Sequence, residues 1–98
     1  MLKKNYSSTK KFCRVTFRVP SEFEAETAAV CGDFNDWDTE TYPMRPLKNG
    51  GFSTTVSLAA QESYRFRYFL DGERWVNDDA ADKYVPNDYG ADDSVVEV

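Results

Sequence analysis

The chain has 98 residues, room for one domain and not two, and its 41% hydrophobic and 30% charged residues suit a globular protein with a modest core. A formal net charge of -5 argues against nucleic acid as the main partner, since phosphate binding requires a basic stripe. No stretch approaches the roughly 20 apolar residues of a membrane span. Nor does Met1 to Lys10 hold the apolar segment of a secretory signal, so the expected location is the cytoplasm.

Residues 1–10 are polar and read as a flexible N-terminal segment ahead of a single domain over residues 11–98. Residues 1–18 carry six basic residues and no acids, whereas residues 71–98 carry nine acids and two bases. The basic start is read as a solvated terminus in preference to an interaction arm. Residues 12–19 alternate as a half-buried strand, with Cys13, Val15, Phe17 and Val19 on one face and Arg14, Thr16 and Arg18 on the other. Pro20-Ser21 ends it. Glu22 to Glu26 reads as an acidic loop in preference to a short helical turn.

Ala28 to Cys31 is a second short strand, stopped by Gly32. Phe34 is expected to turn inward and anchor the loop that follows. Asp36 to Pro46 holds two prolines and reads as loop, with Met44 and Leu47 plugging one end of the core. Asn49-Gly50-Gly51 signals a hairpin. Phe52 to Leu58 then alternates, with Phe52, Thr54, Val56 and Leu58 on one face. After a turn over Ala59 to Glu62, Ser63 to Leu70 gives the strongest strand. Tyr64, Phe66, Tyr68 and Leu70 point one way, and Arg65, Arg67 and Phe69 the other. Asp71-Gly72 is a second hairpin signal, and Glu73 to Val76 returns as a short strand. Asn77 to Gly90 reads as a long polar loop, and Ser94 to Val98 as the last strand. About seven short strands with turn signals between them, rich in Tyr and Phe, imply an all-β antiparallel sandwich of immunoglobulin-like size.

There is no His, and Cys13 and Cys31 belong to no CxxC pair, so neither a metal site nor a cofactor is expected. The two thiols are read as free, on neighbouring strands. Catalysis would fall to carboxylates, clustered as Asp33, Asp36 and Asp38 and as Asp78, Asp79 and Asp82. A glycosidase needs two such groups across a cleft, about 5 Å apart or more than about 6 Å apart. A small sandwich has little wall for such a cleft, and these aspartates are read instead as turn closers, with no enzyme activity. The second cluster also lacks the spacing of an EF-hand.

The two tryptophans, Trp37 and Trp75, are the only ones in the chain. Each follows a turn-like polar stretch, not an apolar run. Large aromatics in such surroundings suit a ligand-contact platform, and an indole can cover the C–H face of a sugar ring. Strand parity turns Arg67 outward, one hairpin away from Trp75. The competing possibility is that both indoles are core.

Gly32-Asp33-Phe34-Asn35-Asp36-Trp37 resembles the G-x-F-N-x-W signature of family 48 carbohydrate-binding modules, the isoamylase N-terminal or early-set domains. Tyr64 to Asp78, with its strand, D-G turn and W-x-x-D close, resembles the second block of that family. Tyr89 to Val96 is similar to its last loop and strand. The resemblance spans roughly residues 12–98. It implies an early-set immunoglobulin-like sandwich, found beside glycogen branching and debranching enzymes and in the β subunits of AMP-activated protein kinase. It further implies a non-catalytic module for α-1,4-linked glucan such as glycogen, starch or maltooligosaccharide, here as a standalone copy. Trp37 and Trp75 would stack on glucose units, with Arg67 and Asp93 bonding hydroxyls and Asn35 and Lys83 assisting. Tyr89 would wedge against the bent chain. Arg67 stands where Lys is common in the family, and Asp93 where the kinase subunits carry Asn. The alternative function is a protein-interaction domain docked on a glucan-metabolising enzyme or a kinase-type partner.

Overall fold

A computed structural model describes residues 2–98. The alternation at residues 12–19 forms strand β2 (Phe12–Val19), in which Cys13, Val15, Phe17 and Val19 are fully buried and Arg14 and Arg18 are exposed. Its antiparallel neighbour β5 (Phe52–Ala59) pairs with it along its whole length, from Phe12 opposite Ala59 to Val19 opposite Phe52. β1 (Lys3–Tyr6) extends this first sheet on one side and the two-residue β4 (Arg45–Pro46) on the other, in the order β1-β2-β5-β4.

The second sheet is built on β6 (Ser63–Leu70), flanked by β3 (Ala28–Gly32) and β9 (Asp92–Glu97). β8 (Lys83–Pro86) lies beyond β9, and β7 (Arg74–Val76) pairs with the end of β6. All pairings in both sheets are antiparallel. The sheets pack face to face as an immunoglobulin-like sandwich. Their shared core holds Val15, Phe17, Val30, Val56, Phe66, Tyr68, Leu70 and Val96. Phe17 crosses Phe66 edge-on at 5.0 Å and lies 5.6 Å from Phe34. Each fully buried aromatic or branched side chain contributes about 1.5–3 kcal/mol. Phe34 turns inward as its sequence position implies, and Met44 is buried at one end of the core.

Five details depart from the sequence reading, the first being that Arg45–Pro46, inside the stretch read as loop, pairs with β5 as β4. Lys3–Tyr6 is an edge strand, with Lys3 opposite Thr16 and Tyr6 opposite Cys13. The stretch 77–90 contains β8, whose polar Lys83-Tyr84-Val85-Pro86 gives no hydrophobic alternation and owes its order to pairing with β9. The strand expected from Ser94 begins at Asp92, because a ladder carries polar residues at its end as readily as apolar ones. A 3-10 turn over Ser21–Phe23 precedes the acidic loop.

The two cysteines are free and buried, but they do not sit on neighbouring strands. Cys13 points from the first sheet into the core, whereas Cys31 is paired with Arg67 and faces away from the core on the second sheet. An entire sheet separates them, since side-chain direction follows strand parity and not sequence distance.

A buried polar cluster closes the end of the sandwich after β7. Tyr68 donates to the Asp78 carboxylate at 2.6 Å, and the Asp78 amide donates to the Ser94 hydroxyl at 3.0 Å. Asn77 accepts from the Ser94 amide and hydroxyl and donates to the Asp92 carbonyl. The aspartate three residues after Trp75 thus fastens the strand end to β9. Among the described residues no helix is long and apolar enough to cross a membrane.

Candidate functional site

Gly32 sits where β3 approaches β6 so closely that an added Cβ would lie 2.3 Å from the Arg65 carbonyl oxygen and 2.9 Å from the Phe34 ring. Only glycine fits, which explains its place at the head of the loop. A 3-10 turn over Asp33–Asn35 follows, and then Asp36 and Trp37 both adopt left-handed backbone, at φ 54° and 60°. That reversal returns the Trp37 amide to the Gly32 carbonyl at 2.9 Å.

Asp33 accepts from the Trp37 indole N–H at 3.2 Å through one oxygen and from the Arg65 amide at 3.0 Å through the other. It therefore ties the indole to the backbone of β6. Asn35 accepts from the Gly32 amide at 2.9 Å and donates to the carbonyls of Asp38 and Val30 at 3.1 and 3.4 Å. Its whole amide is engaged inside the loop. Of the aspartates read as turn closers, Asp38 accepts from the Glu40 amide and Asp78 from the Ala80 amide, whereas Asp71, in the hairpin turn, accepts from the distant Glu26 and Thr27 amides.

The second tryptophan arrives by the β6–β7 hairpin. Left-handed Asp71 and Gly72 turn the chain, and the ladder sets Phe69 opposite Trp75. Tyr68 and Leu70 are in the core, so Phe69 and Trp75 share the outer face. Their ring centroids lie 4.6 Å apart. Trp37 reaches the same place from the β3 side, with its ring 6.3 Å from that of Trp75 and inclined at 59°. Trp75 is 39% exposed and Trp37 is half-buried, so neither is a core residue.

Arg67 is half-buried on this outer face and donates to the Trp75 carbonyl at 3.4 Å. Its Nε is buried and has no hydrogen-bond partner among the described residues, an exception among buried polar atoms. Beside it on β3 stands Cys31, whose thiol is pushed up to about 11 by burial and by the nearby Asp38 charge. It is an inert packing thiol.

The remaining expected residues fall on the same sheet face or its rim, but not as one contact set. Asp93 stands opposite Val85 and is buried; it accepts from the Asn87 side-chain Nδ2 at 3.0 Å and lies 3.9 Å from the Arg65 guanidinium. Asn87 in turn accepts from the amides of Tyr89 and Ala91, which shapes the loop that leaves Tyr89 93% exposed. Lys83 is exposed and paired with Glu97 at 3.3 Å. Sequence reasoning did not single out Arg65, Phe69 and Asn87 for this site. For Phe69 the signal was present, since it shares parity with Arg67.

The face thus offers two inclined indoles and an outward arginine, and the exposed Tyr89 stands on the loop between β8 and β9. It can cover apolar ring faces and donate to hydroxyls. A family model described as carbohydrate-binding module 48, the isoamylase N-terminal domain, matches residues 4–87, a span that includes both tryptophans and Arg67 and stops short of Tyr89 and Asp93. No curated protein matches the chain. With most of its length matched and the sandwich in place, the chain belongs to carbohydrate-binding module family 48.

Proposed function

We propose that this module binds α-1,4-linked glucan, such as glycogen, starch or maltooligosaccharide, on the outer face of its second sheet and performs no catalytic step. The reading rests on one observation above all. Trp37 and Trp75, brought from two distant segments, meet at 6.3 Å on a solvent-facing surface of a carbohydrate-binding family member. Rings inclined at 59° suit a chain that turns between successive glucose units. Each indole removes a C–H-rich sugar face from water, and Arg67 supplies a fork of donors for paired hydroxyls. Tyr89 reaches out to the chain from the neighbouring loop. Asp93 acts through Asn87, holding that loop, and Asn35 acts through the Trp37 loop. Lys83 stands at the rim.

An open site of this kind binds at roughly millimolar to micromolar Kd. The test is a titration with glycogen, maltoheptaose and β-cyclodextrin, followed by indole fluorescence. Replacing Trp75 with alanine is expected to weaken binding by about ten- to a hundredfold, the equivalent of about 1.5–3 kcal/mol of lost ring burial. Unchanged affinity in Trp75→Ala overturns the reading. Co-purification with a glucan-metabolising enzyme, undisturbed by maltoheptaose, then favours the protein-docking function.

A further inference from the structure

The opposite face of the sandwich carries a charge pattern that the glucan reading does not use. Ladder pairing puts Lys3, Asn5, Arg14, Thr16, Arg18, Arg45 and Thr55 on the outward side of the first sheet. No strand position on that side holds Asp or Glu, in a chain whose net charge is -5. Among the described residues, Lys3, Arg14, Arg18 and Arg45 have no ion-pair partner, whereas Lys4, Arg65, Arg74 and Lys83 all do. Two adjoining hollows lie along this face and share Asn5 and Arg14. One continues to Lys3, Thr16 and Thr55, the other to Ser57, to Phe12 with its exposed ring, and to Tyr6 at the sheet edge.

The order of groups across the face narrows the occupant. A protein interface has an apolar centre and a polar rim. Here the arrangement is reversed: the centre is Thr16 bonded to Thr55 at 2.9 Å, among cations and an amide, and the aromatics stand at one end. A hydroxyl-rich ligand that also carries negative charge meets each element. Hydroxyl and amide groups exchange hydrogen bonds with ring hydroxyls, unpaired cations take the anionic groups, and Phe12 offers a ring face.

We propose that this face is a second binding site, for an anionic saccharide whose sugar units carry phosphate or carboxylate groups. It lies on the opposite sheet from the tryptophans and does not depend on them. Lys3, Arg14 and Arg18 of the basic N-terminal stretch are then part of a built surface and not of a solvated tail.

The experiment maps backbone amide shifts of the full chain on addition of oligogalacturonate, phosphorylated maltodextrin, plain maltoheptaose and polyglutamate. Either anionic saccharide is expected to shift the amides of Lys3 to Tyr6, Phe12 to Arg18 and Thr55, and the two arms tell carboxylate from phosphate. Binding weakens severalfold when salt rises from about 50 mM to about 300 mM, as screening of exposed charges requires. The pair of exposed changes Arg14→Gln and Arg18→Gln lowers the affinity at least about tenfold, the loss of two charge-assisted contacts. Trp75→Ala leaves it unchanged, so failure of this site and failure of the glucan site are told apart. Two results overturn the proposal: no shift on this face with either anionic saccharide, or equal shifts with polyglutamate, which makes the face a docking surface for acidic protein.

Discussion

Phe69 stands directly opposite Trp75 in the β6–β7 ladder, and their rings lie 4.6 Å apart at 39° on the outer face of the second sheet. Phe69 is half-buried, and the pairing seats the indole against the sheet. Phe69→Ala is therefore expected to weaken glucan binding about fivefold while touching no sugar, since such ring pairs are worth about 0.5–1.5 kcal/mol. The titration should be read beside the Trp fluorescence maximum of the free protein. A red shift accompanying the loss identifies a freed indole, and full retention of affinity refutes the seating role.

Asp33 spends one oxygen on the Trp37 indole and the other on the Arg65 amide. Asp33→Ala should cost about 1–2 kcal/mol of stability and weaken glucan binding severalfold, because two donors lose their acceptor. A double-mutant cycle with Trp37→Ala checks the cause. The affinity effect of Asp33→Ala should vanish once Trp37 is gone, and additive losses contradict the link.

Gly32→Ala places a methyl group 2.3 Å from a backbone oxygen that belongs to the central strand. The obstacle is backbone, not the end of a mobile side chain, so β3 must move. We expect a loss of about 1–3 kcal/mol, read as a fall in Tm of roughly 4–8 °C per kcal/mol. The Trp37 loop begins at the same residue, so glucan affinity should fall with it. Wild-type stability in this variant shows that β3 and β6 are not locked together.

The fold holds two acidic groups in their protonated form. Burial, then the Asp78 charge and hydrogen bond, push the Tyr68 hydroxyl far above its ordinary 10.0, and burial raises the Cys31 thiol from 9.0 to about 11. The unfolded chain releases both protons first. It therefore gains ground as pH rises, from about 9 for Cys31 and about 10 for Tyr68, at about 1.4 kcal/mol per pH unit per proton. Denaturant midpoints between pH 7 and pH 11 should fall accordingly. Tyr68→Phe should cost about 1–2 kcal/mol at neutral pH and flatten the upper part of that slope. An unaltered slope contradicts the assignment.

The acid limb has the opposite sign. Hydrogen bonds from the Thr27 and Glu26 amides, aided by Arg74, hold the Asp71 carboxyl below its ordinary 3.8. Its contribution is present above that value and is lost as pH falls through the lower folded-state value. Asp71→Asn should reduce stability at pH 7 and narrow the difference from wild type below about pH 3. A difference that stays constant down to pH 2 rules out titration of Asp71 as its source.

Much of the architecture was legible because strand parity is a local property. The alternation at 12–19, 52–58 and 63–70 fixed which side chains meet in the core, and the same parity sent Arg67 and Phe69 outward. Strands β1 and β8 were not legible. Lys3–Tyr6 and Lys83–Pro86 lie at sheet edges, where few of their side chains are buried, and pairing alone defines them. Cys13 and Cys31 show the same limit from another side. Composition leaves them free, but only the sheet order separates them by a whole layer.

At the candidate site the sequence by itself determined the parts: two tryptophans in turn surroundings, a glycine at a strand end, an outward arginine and a one-domain β-sandwich to carry them. Those follow from residue type and period-two spacing. Only the tertiary structure decided that Trp37 and Trp75 meet, that the amide of Asn35 is consumed inside its loop, and that Asp93 is buried against Asn87. It also decided that the unpaired cations of the first sheet gather on the far face. Each of these depends on which strands become neighbours. That choice is made by burial and pairing between segments far apart in sequence, where no local pattern reaches.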